Sequence, residues 1–108
     1  MRSRIPKSDR EFLQCIITLY RIPLVKLEFN ESDAAWPDCW CYPNEKPPRI
    51  VVTQEWARQG VDERRKRLIH EISHILGERH GKKGKLVYST DPAKDSYSKY
   101  VYDQIKWR

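Results

Sequence analysis

The segment HEISHILGERHG, residues 70–81, holds all three histidines of the chain. On an α-helix successive residues are turned by about 100°, so His70 and His74 lie one turn apart on the same face. Core histidines more often lie within or beside the apolar stripe of a helix, so this arrangement favours a pair of histidines that face a cleft. The apolar residues, which lie on the opposite face, are Leu68, Ile69, Ile72, Ile75 and Leu76.

His80 can approach the other two histidines only if the helix ends before it. An uninterrupted helix would carry His80 roughly 9 Å beyond His74, because each residue adds about 1.5 Å. Zinc–nitrogen bonds are about 2.0–2.1 Å long, so the ligands of one ion must converge closely. Gly77 lies between the two histidines, and glycine accepts the left-handed conformation that ends a helix. The spacing therefore predicts a helix, a sharp turn at Gly77 and a third metal ligand.

Glu71 follows the first histidine and is offset around the helix, so we expect it beside a bound metal rather than bound to it. Zinc lowers the pKa of a bound water toward about 7, and a neighbouring carboxylate can accept its proton. Three neutral ligands would leave the ion its full charge and an open coordination position, as catalytic sites require.

The residues HEISHILGERH resemble the extended signature HExxHxxGxxH of the metzincin branch of zincin metallopeptidases. The resemblance implies that His70, His74 and His80 bind one Zn²⁺ per chain. It also implies that Glu71 is the general base and that Gly77 forms the turn toward the third ligand. The implied activity is zinc-dependent hydrolysis of a peptide or protein substrate.

The chain differs from metzincins after the third ligand, where those proteins carry a methionine-containing turn. The only methionine here is Met1. The same segment also resembles the small YbeY-type endoribonucleases that mature ribosomal RNA, which use an HxxxHxxGxxH pattern. Those proteins typically have glycine at the position of Glu71, and a glutamate there favours peptide hydrolysis. An endoribonuclease acting on RNA is therefore the alternative, and a zinc-bearing module that only binds a partner is a third.

Positive charge clusters around the histidines of this chain, whose formal net charge is +6. Such a field could attract nucleic acid or an acidic peptide, although most charge runs are solvated faces. Arg79 and the RRKR run are candidates to bind a substrate carboxylate or phosphate. The basic residues in question are Arg64, Arg65, Lys66, Arg67, Arg79, Lys82, Lys83 and Lys85.

Two tyrosines and three cysteines complete the set of candidate residues. Tyr88 and Tyr97 are candidates to donate a hydrogen bond to the oxyanion, and a packing role is the alternative for both. The cysteines, an odd number, are typical of free thiols in a reducing cytoplasm. A second metal site at the CWC segment would need more ligands than the one remaining cysteine can supply. The cysteines are Cys15, Cys39 and Cys41.

The patterns predict one α+β domain over residues 1–108, and the resemblance to metzincins implies a zincin-like architecture. A sheet of about three short strands is expected to pack against an N-terminal helix, the zinc-binding helix at 61–76 and a C-terminal helix. Strands are predicted in PLVKLEF, around 40–42, in RIVVT and in KLVYS. With 39% hydrophobic residues, the core should be modest.

Capping signals predict where the two outer helices begin. Ser8 and Glu11 form a capping box at the start of SDREFLQCIITLY. In DPAKDSYSKYVYDQIKW, Asp91 is expected as the N-cap and Pro92 at the first helical position. One face of that helix should carry Ala93, Tyr97, Val101 and Ile105.

No membrane association is expected from this sequence. It contains no run of eighteen or more apolar residues, so no membrane span is predicted. The segment MRSRIPKSDR is charged and no apolar stretch follows it, so it does not have the pattern of a signal peptide. These features and the free thiols predict a cytoplasmic protein.

Overall fold

The computed structural model describes residues 5–22, 24–31 and 37–106. Residues 1–4, Pro23 and Trp107, to which some sequence predictions extend, lie outside these ranges. Helices and two small sheets alternate along the chain, which confirms the α+β class, while the narrower zincin-like architecture stays a prediction. The helices are α1 (Lys7–Leu19), α2 (Gln54–Ala57), α3 (Val61–Ile75) and α4 (Ser96–Lys106), and the strands are β1 (Lys26–Asn30), β2 (Cys39–Tyr42), β3 (Arg49–Thr53), β4 (Gly81–Lys83) and β5 (Leu86–Tyr88).

Strand β3 is the centre of the predicted three-stranded sheet, whose order is β1-β3-β2. It pairs in parallel with β1 and antiparallel with β2, so Ile50 lies between Leu27 and Cys41. A central strand covered on both faces has a continuous apolar sequence rather than an alternating one. This is why RIVVT contains a β-branched run and why residues 50–53 are all buried.

The hydrophobic core joins α1, the three-stranded sheet and α3. Trp56 of α2 is fully buried within it, and its indole Nε1 donates to the carbonyl of Arg64 at 3.1 Å. Burial of a large apolar side chain stabilises a fold by about 1.5–3 kcal/mol. The core therefore fixes α3 against the sheet and determines which face of that helix points outward. The buried apolar side chains of the two longer helices are Phe12, Leu13, Ile16, Ile17, Leu68, Ile69 and Ile72.

All four basic residues of the RRKR run form ion pairs within the chain. The fully buried carboxylate of Asp9 joins α1 to α3 through two of them, at 2.6 Å and 3.2 Å. The run is therefore not the solvated face that charge runs usually form, and much of its charge is neutralised internally. The pairs are Arg64–Asp9, Arg65–Asp9, Lys66–Glu63, Arg67–Asp38 and Arg67–Glu63.

Helix α1 begins earlier than predicted, and the capping box of Ser8 and Glu11 is wrong. Pro6 is the N-cap residue, with φ −58°, and no side chain caps this end. The carbonyl of Pro6 accepts hydrogen bonds from the backbone N–H groups of Asp9 and Arg10, so Ser8 is already helical.

The C-terminal segment is not one helix that begins at Asp91, as the sequence predicts. The Asp91 side chain accepts from the N–H of Ala93 at 3.0 Å, but it caps only a 3-10 turn, Pro92–Lys94. This turn ends at Asp95, where ψ is 73°, and Asp95 accepts from the N–H of Ser98 at 3.1 Å. The chain therefore restarts as α4 with Asp95 at its N-terminus.

The predicted face of the C-terminal helix is also partly wrong, because α4 does not include Ala93. Ala93 is exposed, whereas the buried side chains of α4 are Ser98 and Tyr102. Tyr97, Val101 and Ile105 are partly buried. The inward face of α4 is therefore centred on Ser98 and Tyr102, each one residue beyond a predicted position, Tyr97 or Val101.

Strand β5 confirms the strand expected in KLVYS, and it pairs with the unpredicted strand β4 in an antiparallel hairpin. The sequence GKK carries no strand pattern, since it is short and has no β-branched residue. The hairpin turns at Gly84, whose φ is +66°. Helix α2 was also not predicted. Within the described part of the chain, every helix is too short or too polar to cross a membrane.

Candidate metal centre

Helix α3 presents His70 and His74 on the face opposite the buried core residues, with ring centroids 4.9 Å apart. Both side chains are partly buried. Leu76, expected in the apolar stripe, is instead 49% exposed, because the helix ends at Ile75 and Leu76 is its C-cap. The shorter stripe still turns the two histidines away from the core.

The chain reverses at Gly77, where φ is +96°. The N–H of Gly77 donates to the carbonyl of His74 at 3.0 Å, and the N–H of Glu78 donates to the carbonyl of Ser73 at 2.9 Å. This pair of bonds is the Schellman arrangement, which uses a left-handed residue after the C-cap to satisfy the last carbonyls of a helix. The turn directs the chain back along α3 and brings His80 toward the first two histidines.

The three imidazoles converge on one point. The ring of His80 lies 5.0 Å from that of His70 and 4.6 Å from that of His74, measured between centroids. One nitrogen from each ring lies within 4.8 Å of the others, and the Nε2 atoms of His70 and His80 are 3.1 Å apart. Nitrogens about 2.0–2.1 Å from one tetrahedral zinc stand roughly 3.3 Å apart. His70, His74 and His80 could therefore hold a metal ion.

The other ring nitrogens of the two helical histidines already have partners. Nδ1 of His70 lies 2.8 Å from Oδ2 of Asp95, and Nδ1 of His74 lies 3.2 Å from the carbonyl oxygen of Glu78. A metal-binding histidine typically donates its second ring N–H to a carboxylate or a carbonyl, which fixes its tautomer and orientation. The pattern leaves both Nε2 atoms free for a metal, so the donor set fits one.

Asp95 belongs to this centre although the sequence patterns did not single it out. It is buried, and burial opposes its charge, but hydrogen bonds with His70 and Ser98 outweigh that effect and lower the pKa of its carboxyl group. Its position directly before SYSK is a possible N-cap signal, since aspartate is a preferred N-cap residue. No sequence pattern connects it to His70, which is 25 residues away.

The protonation of the histidines also suits a metal site. Burial is the main cause that lowers the pKa of both His74 and His80, and the neighbouring ring of His70 lowers each further. Only the unprotonated ring binds a metal. The site therefore favours the form of these two side chains that a metal requires.

Glu71 lies in the same cavity as the three histidines, a space of about 430 Å³ whose wall also includes Asp38 and Cys39. Only 6% of Glu71 is exposed. Burial and, to a smaller extent, the negative charge of Asp38 raise the pKa of Glu71 to about 8. A carboxyl group with a pKa of about 8 is mostly protonated at neutral pH, so it accepts a proton there only where a neighbouring cation lowers that pKa.

No family model, curated protein or solved structure matches this chain. What the protein does has to be inferred from the chemistry of this cavity and from the residues around it.

The three candidate substrate contacts, Tyr88, Tyr97 and Arg79, do not line this cavity. Tyr88 is fully buried, and its hydroxyl donates to the backbone carbonyl of His70. The ring of Tyr97 is partly buried 5.4 Å from that of Tyr88, and Arg79 is exposed. Both tyrosines therefore lie in positions that suit a packing role, which is the alternative to a hydrogen bond with the oxyanion.

The basic residues of the site divide into a paired and an exposed group. Lys66 and Arg67 line the cavity but are paired with acidic side chains, and Lys83 of β4 pairs with Glu78. Lys82 and Lys85 of the hairpin are exposed. Among the basic residues singled out around the histidines, the exposed ones are therefore Arg79, Lys82 and Lys85.

The three cysteines are free thiols, as expected. Burial is the main cause that raises the pKa of Cys39, and it also raises the pKa of Cys41 to about 12. Such thiols stay protonated and are poor metal ligands. Among the described residues, the histidine cluster is the group of three or more ligating side chains close enough to hold an ion.

Proposed function

We propose that this chain is a zinc-dependent metallopeptidase in which Glu71 is the general base for hydrolysis of a peptide bond. The observation that carries this proposal is the presence of Glu71 in one cavity with three histidines that converge on a common point. A general base must reach the water whose proton it accepts, and Glu71 lines the same cavity as the histidines that would hold a metal able to make that water more acidic.

The donor set supports zinc as the metal. Zinc readily takes imidazole ligands, and catalytic zinc sites typically use three protein ligands and leave one position open. His70, His74 and His80 would be those ligands. When bound, zinc would supply a Lewis acid that polarises the substrate carbonyl and lowers the pKa of water.

Glu71 then moves the proton. Its carboxylate accepts a proton from the attacking water and passes it to the leaving amine as the peptide bond breaks. Burial and Asp38 raise the pKa of Glu71, whereas a cation at the histidines would act in the opposite direction. The two effects would offset each other, which suits a group that first accepts and then donates a proton.

A YbeY-like endoribonuclease is the second candidate, and the exposed lysines of the hairpin favour it. Lys82 and Lys85 lie close in sequence to His80 and are exposed, so they could contact RNA phosphates. Lys66 and Arg67 of the cavity wall are less suited to this role, because Glu63 and Asp38 already neutralise them. The carboxylate of Glu71 among the histidines supports the peptidase more directly.

The test is the substitution Glu71→Gln, which keeps the size of the side chain but removes its ability to accept a proton. Zinc-loaded wild type and variant are incubated with a peptide library and with a structured RNA, and zinc content is measured in each. We expect peptide cleavage to fall by about 10²–10⁴-fold with zinc content unchanged. Glu11→Gln is the matched control, because this glutamate is exposed on α1 and pairs only weakly with Lys7 at 3.9 Å.

RNA cleavage that persists in the Glu71→Gln variant, without proteolysis by either protein, would favour the endoribonuclease over the peptidase as the function of this chain. Zinc-loaded wild type that cuts neither substrate would leave a zinc-bearing binding module as the better account.

A further inference from the structure

Tyr88, the last residue of β5, contacts the rings of all three candidate ligands. Its ring centroid lies 4.6 Å from that of His70, 5.1 Å from that of His74 and 5.0 Å from that of His80. Tyr88 is fully buried and does not line the cavity. Its ring therefore packs against the histidine cluster from within the protein, outside the cavity.

The hydroxyl of Tyr88 makes a second link to the same cluster. It donates to the backbone carbonyl of His70, on the helix that carries the first two histidines. A buried tyrosine hydroxyl normally finds a partner of this kind.

The backbone of Tyr88 is linked to the third histidine. In the hairpin, Tyr88 pairs directly with Gly81, which is the residue after His80. The adjacent N–H of Val87 donates to Oγ of Ser96 at 2.9 Å, one residue from Asp95. Through its neighbours, Tyr88 thus connects the strand that follows His80, the helix of His70 and the start of α4.

We infer that Tyr88 is a positioning residue for the metal centre. Its ring is the floor on which the three imidazoles rest, and its hydroxyl holds the hairpin against the helical turn at His70. The inference depends on metal binding by the three histidines and not on the reaction. Without this floor the ligand rings would be free to tilt, and the geometry of the bound ion would become less uniform.

The experiment uses the full chain with Co²⁺ alone as the probe. The dissociation constant is measured by competition with a chelator, and the visible absorption spectrum of the bound cobalt reports its coordination geometry. The variants are Tyr88→Phe, which removes only the hydroxyl, and Tyr88→Leu, which also removes the ring. Tyr102→Leu is the matched control, because Tyr102 is buried as well and its hydroxyl bonds to Asp62 of α3, but it packs on Phe12.

We expect Tyr88→Leu to weaken cobalt binding about tenfold or more and to change the absorption spectrum, as loss of a support around metal ligands typically does. Tyr88→Phe should weaken binding by a smaller factor. Tyr102→Leu should lower thermal stability but leave the cobalt affinity and spectrum of the wild type. Weaker binding in either Tyr88 variant, with the control unchanged, supports the inference.

Wild-type affinity and spectrum in every Tyr88 variant that folds would overturn the inference, and Tyr88→Phe decides alone if Tyr88→Leu does not fold. A wild-type chain that binds no cobalt would overturn both this inference and the proposed function. A wild-type chain that binds cobalt normally but, loaded with zinc, cuts no peptide would contradict the proposed function alone.

Discussion

Oδ2 of the buried Asp95 lies 2.8 Å from Nδ1 of His70, so the start of α4 determines the orientation of a side chain on α3. The carboxylate favours a proton on Nδ1 and directs Nε2 toward the other two histidines.

We expect Asp95→Asn to weaken metal binding by about 10–100-fold, because it removes the charge that orients and polarises His70. Asparagine still caps helices well, so the bond to the N–H of Ser98 and the start of α4 should be retained. Chelator competition with zinc measures the effect. The control is Asp103→Asn, a residue of α4 that pairs with Lys99 at the surface. Equal affinities in the two variants would contradict a role of Asp95 in the centre.

The wild-type chain should carry one zinc ion after purification, and His74→Ala should lose it. Removing one of three ligands leaves the other two with little capacity to retain the ion against a competing chelator. Elemental analysis of both proteins gives the metal content per chain. A His74→Ala protein with its full zinc content would remove this residue from the ligand set.

Gly77→Val should weaken zinc binding, because a β-branched residue is strained at φ +96° and the return of the chain toward His80 depends on that conformation. The sheet and α3 should remain folded, as circular dichroism would show. Gly60→Val is the control, since Gly60 has φ −66° and an added Cβ meets nothing within 4 Å. Unchanged zinc affinity in the Gly77 variant would mean that His80 is not a ligand.

Asp9→Ala should destabilise the fold by about 3–5 kcal/mol, because it leaves two partly buried guanidinium groups without their carboxylate. Arg64 and Arg65 have side chains that are 15% and 23% exposed, and Asp9 is fully buried. The free energy of unfolding in urea measures the loss. For comparison, Glu55→Gln, which removes the surface pair with Arg58, should cost about 1 kcal/mol or less. A similar small effect for Asp9→Ala would show that this buried pair contributes little.

The parts of the site that follow from local chain geometry could be predicted from the sequence. The shared face of His70 and His74 depends only on helical periodicity, and a turn at Gly77 depends on the conformational freedom of one residue. The strand RIVVT could be predicted for the same reason, since a β-branched run that directly follows two prolines is a local signal.

Residues brought to the site by tertiary packing could not be predicted in their roles. Asp95 and Tyr88 follow His70 by 25 and 18 residues, and they reach it only because α4 and the hairpin pack against α3. The partner of Arg64 and Arg65 is likewise Asp9, more than 50 residues earlier. A charge run therefore indicates where basic residues are, but not which of them the fold neutralises.

The candidate ligands and the residues that support them all lie between positions 70 and 95, whereas the sheet and α1 are built from the earlier part of the chain. Bringing together groups that are close in sequence costs little loop-closure entropy, so the hairpin and the start of α4 can open locally while α3 stays packed in the core. Loss of a bound metal should therefore first increase the rate of amide hydrogen exchange in the hairpin and at the start of α4, while β3 and α1 stay protected. A metal ion bound by the three histidines would thus stabilise one cooperative unit of the structure rather than the whole fold.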